Sequence, residues 1–211
     1  MILTSVRWYV AYSLSYRNIE ELMLERRVEV DHSTINRWVI KYSSQLLNEF
    51  KNRKKKVGSS WRMDETYIKV KGVWHYLYRA VDKEGDTIDF MLSKKRDKKA
   101  AMKFFKKSIK SSGKPLKINI DKSGANKAGI DAVNAEFLEK IEIRQVKYLN
   151  NIVEQDHRFI KKITNSIMGF KSFHSALATL DGIELHHMIK KGQMKSAKNN
   201  TIFEQFYSLA A

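Results

Sequence analysis

Apolar residues recur at helical spacing through the first fifty positions and at strand spacing afterwards. From Tyr16 the pattern places Ile19, Leu22 and Met23 at i, i+3 and i+4, with Ser15 positioned to cap the start. That helix is predicted to fade at Arg26–Arg27. A second helix follows, capped by Asp31 or Ser33, with Ile35, Trp38, Val39, Tyr42 and Leu46 forming one apolar stripe. Ser33, Thr34, Asn36, Arg37 and Lys41 fall on its outer face. Residues 2–13 can supply a supporting first helix. Two short helices with a tight turn and a hydrogen-bonding outer face predict a helix-turn-helix over 1–50. Spacing alone fits an ordinary helical pair almost as well.

The stretch KNRKKKVGSS at 51–60 is basic, then small and flexible, and reads as a linker that includes Lys54, Lys55 and Lys56. Beyond it the period becomes two. Asp64, Thr66, Ile68 and Val70 share one strand face; Glu65, Tyr67 and Lys69 share the other. VWHYLYRAV predicts a second strand, DKEGD a turn and TIDFML a third strand. A helix over 97–110 follows from Ala101, Phe104, Phe105 and Ile109. PLKINID predicts a strand with Leu116, Ile118 and Ile120 on one side and Asp121 closing it. Val133, Phe137 and Leu138 mark another helix, Ile141–Val146 a short strand, and Ile152, Val153, Phe159, Ile160 and Ile163 a final helix from about Asn150. The order β-β-β-α-β-α-β-α matches an RNase H-like mixed sheet. The fold class is therefore α/β: a catalytic domain at 61–192, a small all-α domain before it and a tail at 193–211.

Composition narrows the chemistry. The 211 residues are 43% hydrophobic, enough for a core. No cysteine is present, which excludes disulfide scaffolds, thiol catalysis and cysteine-held zinc. No apolar run approaches a bilayer span, and MILTSVRWYVAYSLSYR is broken by Arg7 and too polar for a secretory signal. The expectation is a cytoplasmic, nucleoid-associated protein that does not engage membrane. The net charge is +17, distributed as +5 over 1–60, +8 over 61–154 and +4 over 155–211. Basicity spread over every part suits a long polyanion crossing the surface, with double-stranded DNA as the partner.

Three acids stand out against that charge. Asp64 lies on the apolar-leaning side of its strand, where an unpaired carboxylate costs several kcal/mol, on the order of the usual burial penalty. Asp121 sits at the carboxyl end of a strand, where ligands gather in α/β sheets. Glu154 stacks with Arg158 and Lys161 at i, i+4 and i+7, a face that suits either a solvated salt-bridge ladder or the wall of a DNA groove. Carboxylates distant in sequence and convergent in space can hold two Mg²⁺ ions for phosphodiester chemistry. Asp156, in the apolar stripe, is either a buried structural acid or a rival ligand. His157, next to Asp156, reads as a surface histidine or, as the second choice, a helper near the acids, and His186–His187, being adjacent, point to different helix faces and make a poor metal site. Tyr67, Trp74, Tyr76 and Tyr78 read mainly as core and sheet-face packing, with one unspecified ring available to stack on an unpaired base. Lys98, Lys99, Lys103, Lys106 and Lys107 form either a plain solvated helix face or, favoured by the overall charge, a face for the DNA backbone.

The segments RMDETYIKVKGVWHYLYRAVD (62–82), NID (119–121) and KYLNNIVEQDHRFIKK (147–162) resemble the bacterial insertion-sequence DDE transposases of the IS-six family, and YSLSYRNIEELMLERRVEVDHSTINRWV (12–39) resembles that family's helix-turn-helix. The resemblance covers nearly the whole chain and is most specific around Glu154. It implies an integrase-like catalytic core in which Asp64, Asp121 and Glu154 hold two Mg²⁺ ions, with Mn²⁺ as a substitute, and in which Lys161 contacts DNA. It implies binding of terminal inverted repeats, strand cleavage and transfer into target DNA, and a homodimer or larger synaptic complex. The 32 residues between Asp121 and Glu154 are slightly fewer than the family's usual number, which predicts a shortened loop within 125–146. Relatives have a short basic segment before the position of Ile2, and many have a proline near the place of KSGAN. These departures suggest a non-enzymatic DNA-binding descendant as the alternative, with a structure-selective nuclease as a third reading. QFYSLAA resembles the family's usual ending.

Overall fold

A computed structural model describes residues 1–167, 169–195 and 200–210. The chain forms two compact units, one helical and one built on a sheet. The helical unit comprises Met1–Lys55, Val70–Gly72 and the chain from Phe159 onward.

In the helical unit, α1 (Ile2–Ala11) is followed by α2 (Tyr16–Leu24), which starts on a reciprocal cap. The Ser15 hydroxyl accepts from the Asn18 amide, and the Ser15 amide donates to Asn18 Oδ1. Arg27 takes a left-handed φ of 58° just past its end. Asp31 caps α3 (His32–Arg53) by accepting from the Ser33 amide at 2.8 Å. The helix continues through 51–53, so the predicted linker begins inside its last turn. Its buried stripe is Ile35, Val39, Ser43, Leu46, Leu47 and Phe50, while Trp38 and Tyr42 are only half-buried. Ser43 occupies the middle of the stripe because α7 (Phe173–Lys190) crosses there at Gly182.

A Cβ at Gly182 would stand 2.6 Å from Val10 Cγ1 and 2.7 Å from Ser43 Oγ, so α1, α3 and α7 approach at a spacing that only glycine permits. Gly182→Ala is expected to cost about 1–3 kcal/mol through overpacking, read as a lower urea midpoint with an unchanged slope.

α7 buries residues on every side, including His186 and His187, whose rings lie 6.3 and 4.2 Å from that of Phe159. Burial first, then the charges of Arg7, Lys190 and His187, lower the pKa of His186 to about 4. The unfolded imidazole titrates near 6.5 and therefore takes up its proton first. Stability contributed by the neutral ring is complete above that value and is lost progressively as pH falls from 6.5 toward 4, by up to about 1.4 kcal/mol per unit. His186→Gln is expected to flatten this part of the stability–pH curve measured by urea denaturation; an unchanged curve would show that His186 does not titrate this way. No described helix is long and apolar enough to cross a membrane.

The second unit contains Lys56–Lys69 and Val73–Arg158. Its sheet runs β3-β2-β1-β4-β5, formed by β1 (Ser60–Val70), β2 (Val73–Asp82), β3 (Thr87–Ser93), β4 (Lys117–Asn119) and β5 (Glu142–Arg144). Lys71 and Gly72, both with positive φ, close the first hairpin in a two-residue turn. At the second turn the buried Asp82 carboxylate accepts from the amides of Gly58, Glu84 and Asp86. β2 and β3 are antiparallel, whereas β4 is parallel to both β1 and β5. This is the mixed sheet of an RNase H-like domain.

Helices α4 (Lys98–Ser112) and α5 (Gly124–Asn134) cover one face, packing Ala101, Phe104, Phe105, Ile130 and Val133 against Trp61, Met63 and Tyr78. β4 is shorter than the PLKINID pattern predicts, so Leu116 lies outside it and is exposed. α5 stops at Asn134 because its side chain turns to bond both the amide and the carbonyl of Ile141. Phe137 and Leu138 consequently fall beyond the helix, with Leu138 in solvent. α6 (Asn151–Ser166) follows a 3-10 turn at Lys147–Asn150 and carries Glu154 in its first turn.

Candidate active site

The parallel register pairs Ser60 with Lys117, Trp61 with Ile118 and Arg62 with Asn119. Continued by two residues, it sets Asp64 opposite Asp121. β4 has ended by then, so the strands part and the carboxylates occupy the gap. Ligand oxygens of Asp64, Asp121 and Glu65 lie within 4.8 Å of one another.

Glu65 is a residue that strand alternation directs to the opposite face, and no periodicity in the sequence marks it as part of this group. Its side chain is 3% exposed and is held by Arg96, which donates from Nε and Nη2 at 3.4 and 3.3 Å. The same Nη2 reaches Asp121 Oδ2 at 3.1 Å. Asp121 Oδ1 accepts from the Ser123 amide at 3.0 Å and from Asn126 Nδ2 at 3.3 Å. Burial, then the neighbouring charges of Glu65, Asp121 and Glu154, push the pKa of Asp64 up to about 7.

Glu154 is exposed and lies outside that tight trio. It lines a hollow of about 360 Å³ with Ile120, Asp121, Lys122, Gln145, Lys147 and Asn150. The start of α6 is fixed there by two buried asparagines. Asn119 Nδ2 donates to Asn150 Oδ1 at 2.6 Å and to the Val146 carbonyl, and Asn119 Oδ1 accepts from the Val146 amide. Asn150 in turn donates to the Met63 carbonyl at 3.3 Å, next to Asp64. Side-chain amides therefore bridge the place where β4 runs out.

Two neighbours of Glu154 differ in role. Asp156 is a structural acid: Oδ2 accepts from Nη2 of the fully buried Arg79 at 2.8 Å. His157 is buried rather than on the surface, with Nδ1 3.6 Å from Asp64 Oδ2. It shares the wheel position of the buried Val153 and Ile160, at i−4 and i+3, and that spacing could have found it.

The remaining candidates lie apart from the acids. Ser33, Arg37 and Lys41 are exposed and Thr34 and Asn36 half-buried on α3, with Arg37 bonded to Thr34 Oγ1 at 2.7 Å. Lys54 forms an isolated bridge with Met194, Lys55 Nζ donates to the Gly192 carbonyl, and Lys56 is exposed. Arg158 and Lys161 are exposed on α6, the former in the sheet unit and the latter in the helical unit. On α4, Lys106 and Lys107 pair with Glu136 and Asp89, whereas Lys98, Lys99 and Lys103 face solvent. Of the four aromatics, only Tyr78 belongs fully to the core; Tyr67 and Trp74 are exposed because α4 and α5 do not extend over them.

A family model described as a DDE domain matches residues 58–193. The transposase for insertion sequence-like element IS431mec of Staphylococcus aureus (strain Mu50) is 43% identical over 197 residues, covering 93% of this chain and 87% of the relative. The transposase for insertion sequence element IS257 in transposon Tn4003, also from Staphylococcus aureus, matches to the same extent. Among solved structures, the HTLV-2 integrase catalytic core domain in complex with magnesium (dimeric form) aligns with a TM-score of 0.49 at 19% identity, over 73% of this chain and 99% of that one. By the DDE-domain match and the extent of identity to insertion-sequence transposases, the chain belongs to the DDE transposases of the IS-six family.

Proposed function

We propose that the protein binds the terminal inverted repeats of its own insertion sequence, cleaves at their ends and transfers the freed strand to target DNA, with Asp64, Asp121 and Glu154 as the acidic set. The observation that carries this reading is the convergence of Asp64 and Asp121, from separate strands, within 4.8 Å at the open end of β4. Family membership supports the same assignment.

The donor set fits a hard divalent cation such as Mg²⁺, with Mn²⁺ as a substitute. Its ligands are carboxylate oxygens gathered within 4.8 Å of one another, the donor chemistry such an ion takes. Asp64 and Asp121 would hold the ions, with Glu154 closing the set from α6 and Glu65 available beside them. When bound, two such ions stabilise the attacking and leaving oxygens of an in-line phosphoryl displacement.

The chain's own residues do the rest. Asn119 and Asn150 hold the start of α6 against β1 and β4, which keeps Glu154 in range. Arg96, Arg158 and Lys161 supply cations for phosphates; α3 presents Ser33, Thr34, Asn36, Arg37 and Lys41 to the repeat sequence, and Lys54–Lys56 add backbone contacts. Joining two element ends calls for a homodimer or larger synaptic complex.

The test is an assay of the full-length protein on a labelled duplex carrying the inverted repeat found beside its gene. Nicking at the repeat end that leaves a 3′-hydroxyl, requires Mg²⁺ and is followed by joining to a target plasmid is the expected result. Binding without cleavage would leave a DNA-binding descendant, and cutting of branched DNA regardless of sequence would leave a nuclease.

A further inference from the structure

The face of the sheet covered by α4 and α5 continues past their cover as a row of rings. Tyr78 is buried, its ring 5.7 Å from Phe104. Tyr76, two residues back along β2, is half-buried, and Trp74, two further back, is 56% exposed. The two-residue turn sets Tyr67 opposite Tyr76 and Lys69 opposite Trp74. Distances agree: Tyr67 lies 5.4 Å from Tyr76 and stands edge-on to Trp74 at 6.1 Å, and Lys69 Nζ is 5.8 Å from the Trp74 ring. Tyr67 is itself 53% exposed. A strand needs β-formers here, but threonine or valine would serve it without leaving two large rings in water.

We propose that Tyr67, Trp74 and Tyr76 form a stacking platform for an unpaired nucleobase of the DNA strand presented to the acids. This deepens the function proposed above and rests on it.

Three observations select a base over other occupants. First, Glu65 precedes Tyr67 by two residues on the same face, about 7 Å along the strand, and its carboxylate belongs to the acidic group. A strand whose phosphate lies at the acids therefore brings its neighbouring base to the rings. Second, the charges beside the rings are cationic. Lys69 lies over Trp74, and Arg96, in the run Lys94–Lys95–Arg96, bonds Glu65, two residues from Tyr67 on the same strand face, and Asp121. Aromatic faces interleaved with cations are the pattern of single-strand binding, because every base offers a π-face and every phosphate a charge. Third, three rings are too small a surface for a stable protein interface, which needs on the order of 1,000 Å² or more.

The test uses the full chain in EDTA, so binding is read without cleavage. Two DNA probes are compared: a blunt duplex, and the same duplex with a short 3′ overhang containing the fluorescent base 2-aminopurine. The wild type is expected to bind the overhang probe about 10-fold more tightly than the blunt one and to quench the 2-aminopurine. Tyr67→Thr and Trp74→Thr, which keep strand propensity, are expected to lose about 5-fold or more of the overhang affinity and most of the quenching, with blunt affinity unchanged; Trp74→Phe should retain both. Circular dichroism melts establish that the variants fold, and Trp74→Phe provides the comparison if a threonine variant does not.

Equal wild-type affinity for the two probes, or folded threonine variants with undiminished quenching, would overturn the platform. So would a change of oligomeric state on sedimentation of those variants, which would assign the rings to a second copy of the chain. Absence of Mg²⁺-dependent cleavage in the separate nicking assay would count against the catalytic reading while leaving the overhang preference measurable, so the two failures are distinguishable.

Discussion

Asparagine at position 121 is expected to reduce metal-dependent cleavage of an inverted-repeat duplex by on the order of 10³-fold or more. The substitution is nearly isosteric. An amide oxygen can still accept from the Ser123 amide and Asn126, so the loop after β4 keeps its shape. What disappears is one negative charge from a group whose oxygens lie within 4.8 Å of one another, and with it the Arg96 ion pair. A hard cation loses a charged ligand, and charge stabilisation at the phosphate falls with it. Single-turnover cleavage measures the loss, while fluorescence anisotropy on the same duplex should show end binding within about threefold of wild type, because phosphate and base contacts are made elsewhere. Cleavage by this variant at the wild-type rate would remove Asp121 from the site.

Replacing Arg79 by methionine is expected to destabilise the sheet unit by about 3–5 kcal/mol. Arg79 is fully buried on β2 and its Nη2 lies 2.8 Å from Asp156 Oδ2 on α6. Methionine fills much of the volume but leaves a carboxylate in low dielectric without this cation. Urea denaturation should show the loss, and Arg79→Met combined with Asp156→Leu should regain at least half of it by removing the stranded charge as well. Because Asp156 lies two residues from Glu154 on the same helix, the single variant should also lose cleavage activity beyond what its unfolded fraction explains. A loss below about 1 kcal/mol would show that Asp156 is satisfied without Arg79.

The main lines of the fold were legible because the chain changes period where its architecture changes. Helical spacing up to Leu46, alternation from Asp64 and capping at Ser15 and Asp31 are local signals, and they correspond to α3, β1 and the observed caps. Asp121 could be singled out because it stands where an apolar strand ends. The missed features depend on contacts distant in sequence. Ser43 replaces Trp38 and Tyr42 in the buried stripe of α3 only because Gly182 crosses it. Glu65 joins the acids only because β4 is three residues long and leaves the flank of β1 open, a length set by pairing rather than by the apolar pattern of PLKINID. His157 and Asp156 were ambiguous on a helical wheel; Asp64 and Arg79, supplied by other strands, give each its environment.

The brevity of β4 has a consequence for how such a chain falls silent. Three residue pairs hold it to β1, and a slip of one residue would turn Asp121 to the opposite side of the sheet. The buried Asn119 amide, tied to Val146 and Asn150, pins that alignment. On the proposed acidic set, a gene copy that keeps every acidic codon intact is expected to be inert after one change at Asn119, and surveys that score activity by the presence of three carboxylates would count that copy as live.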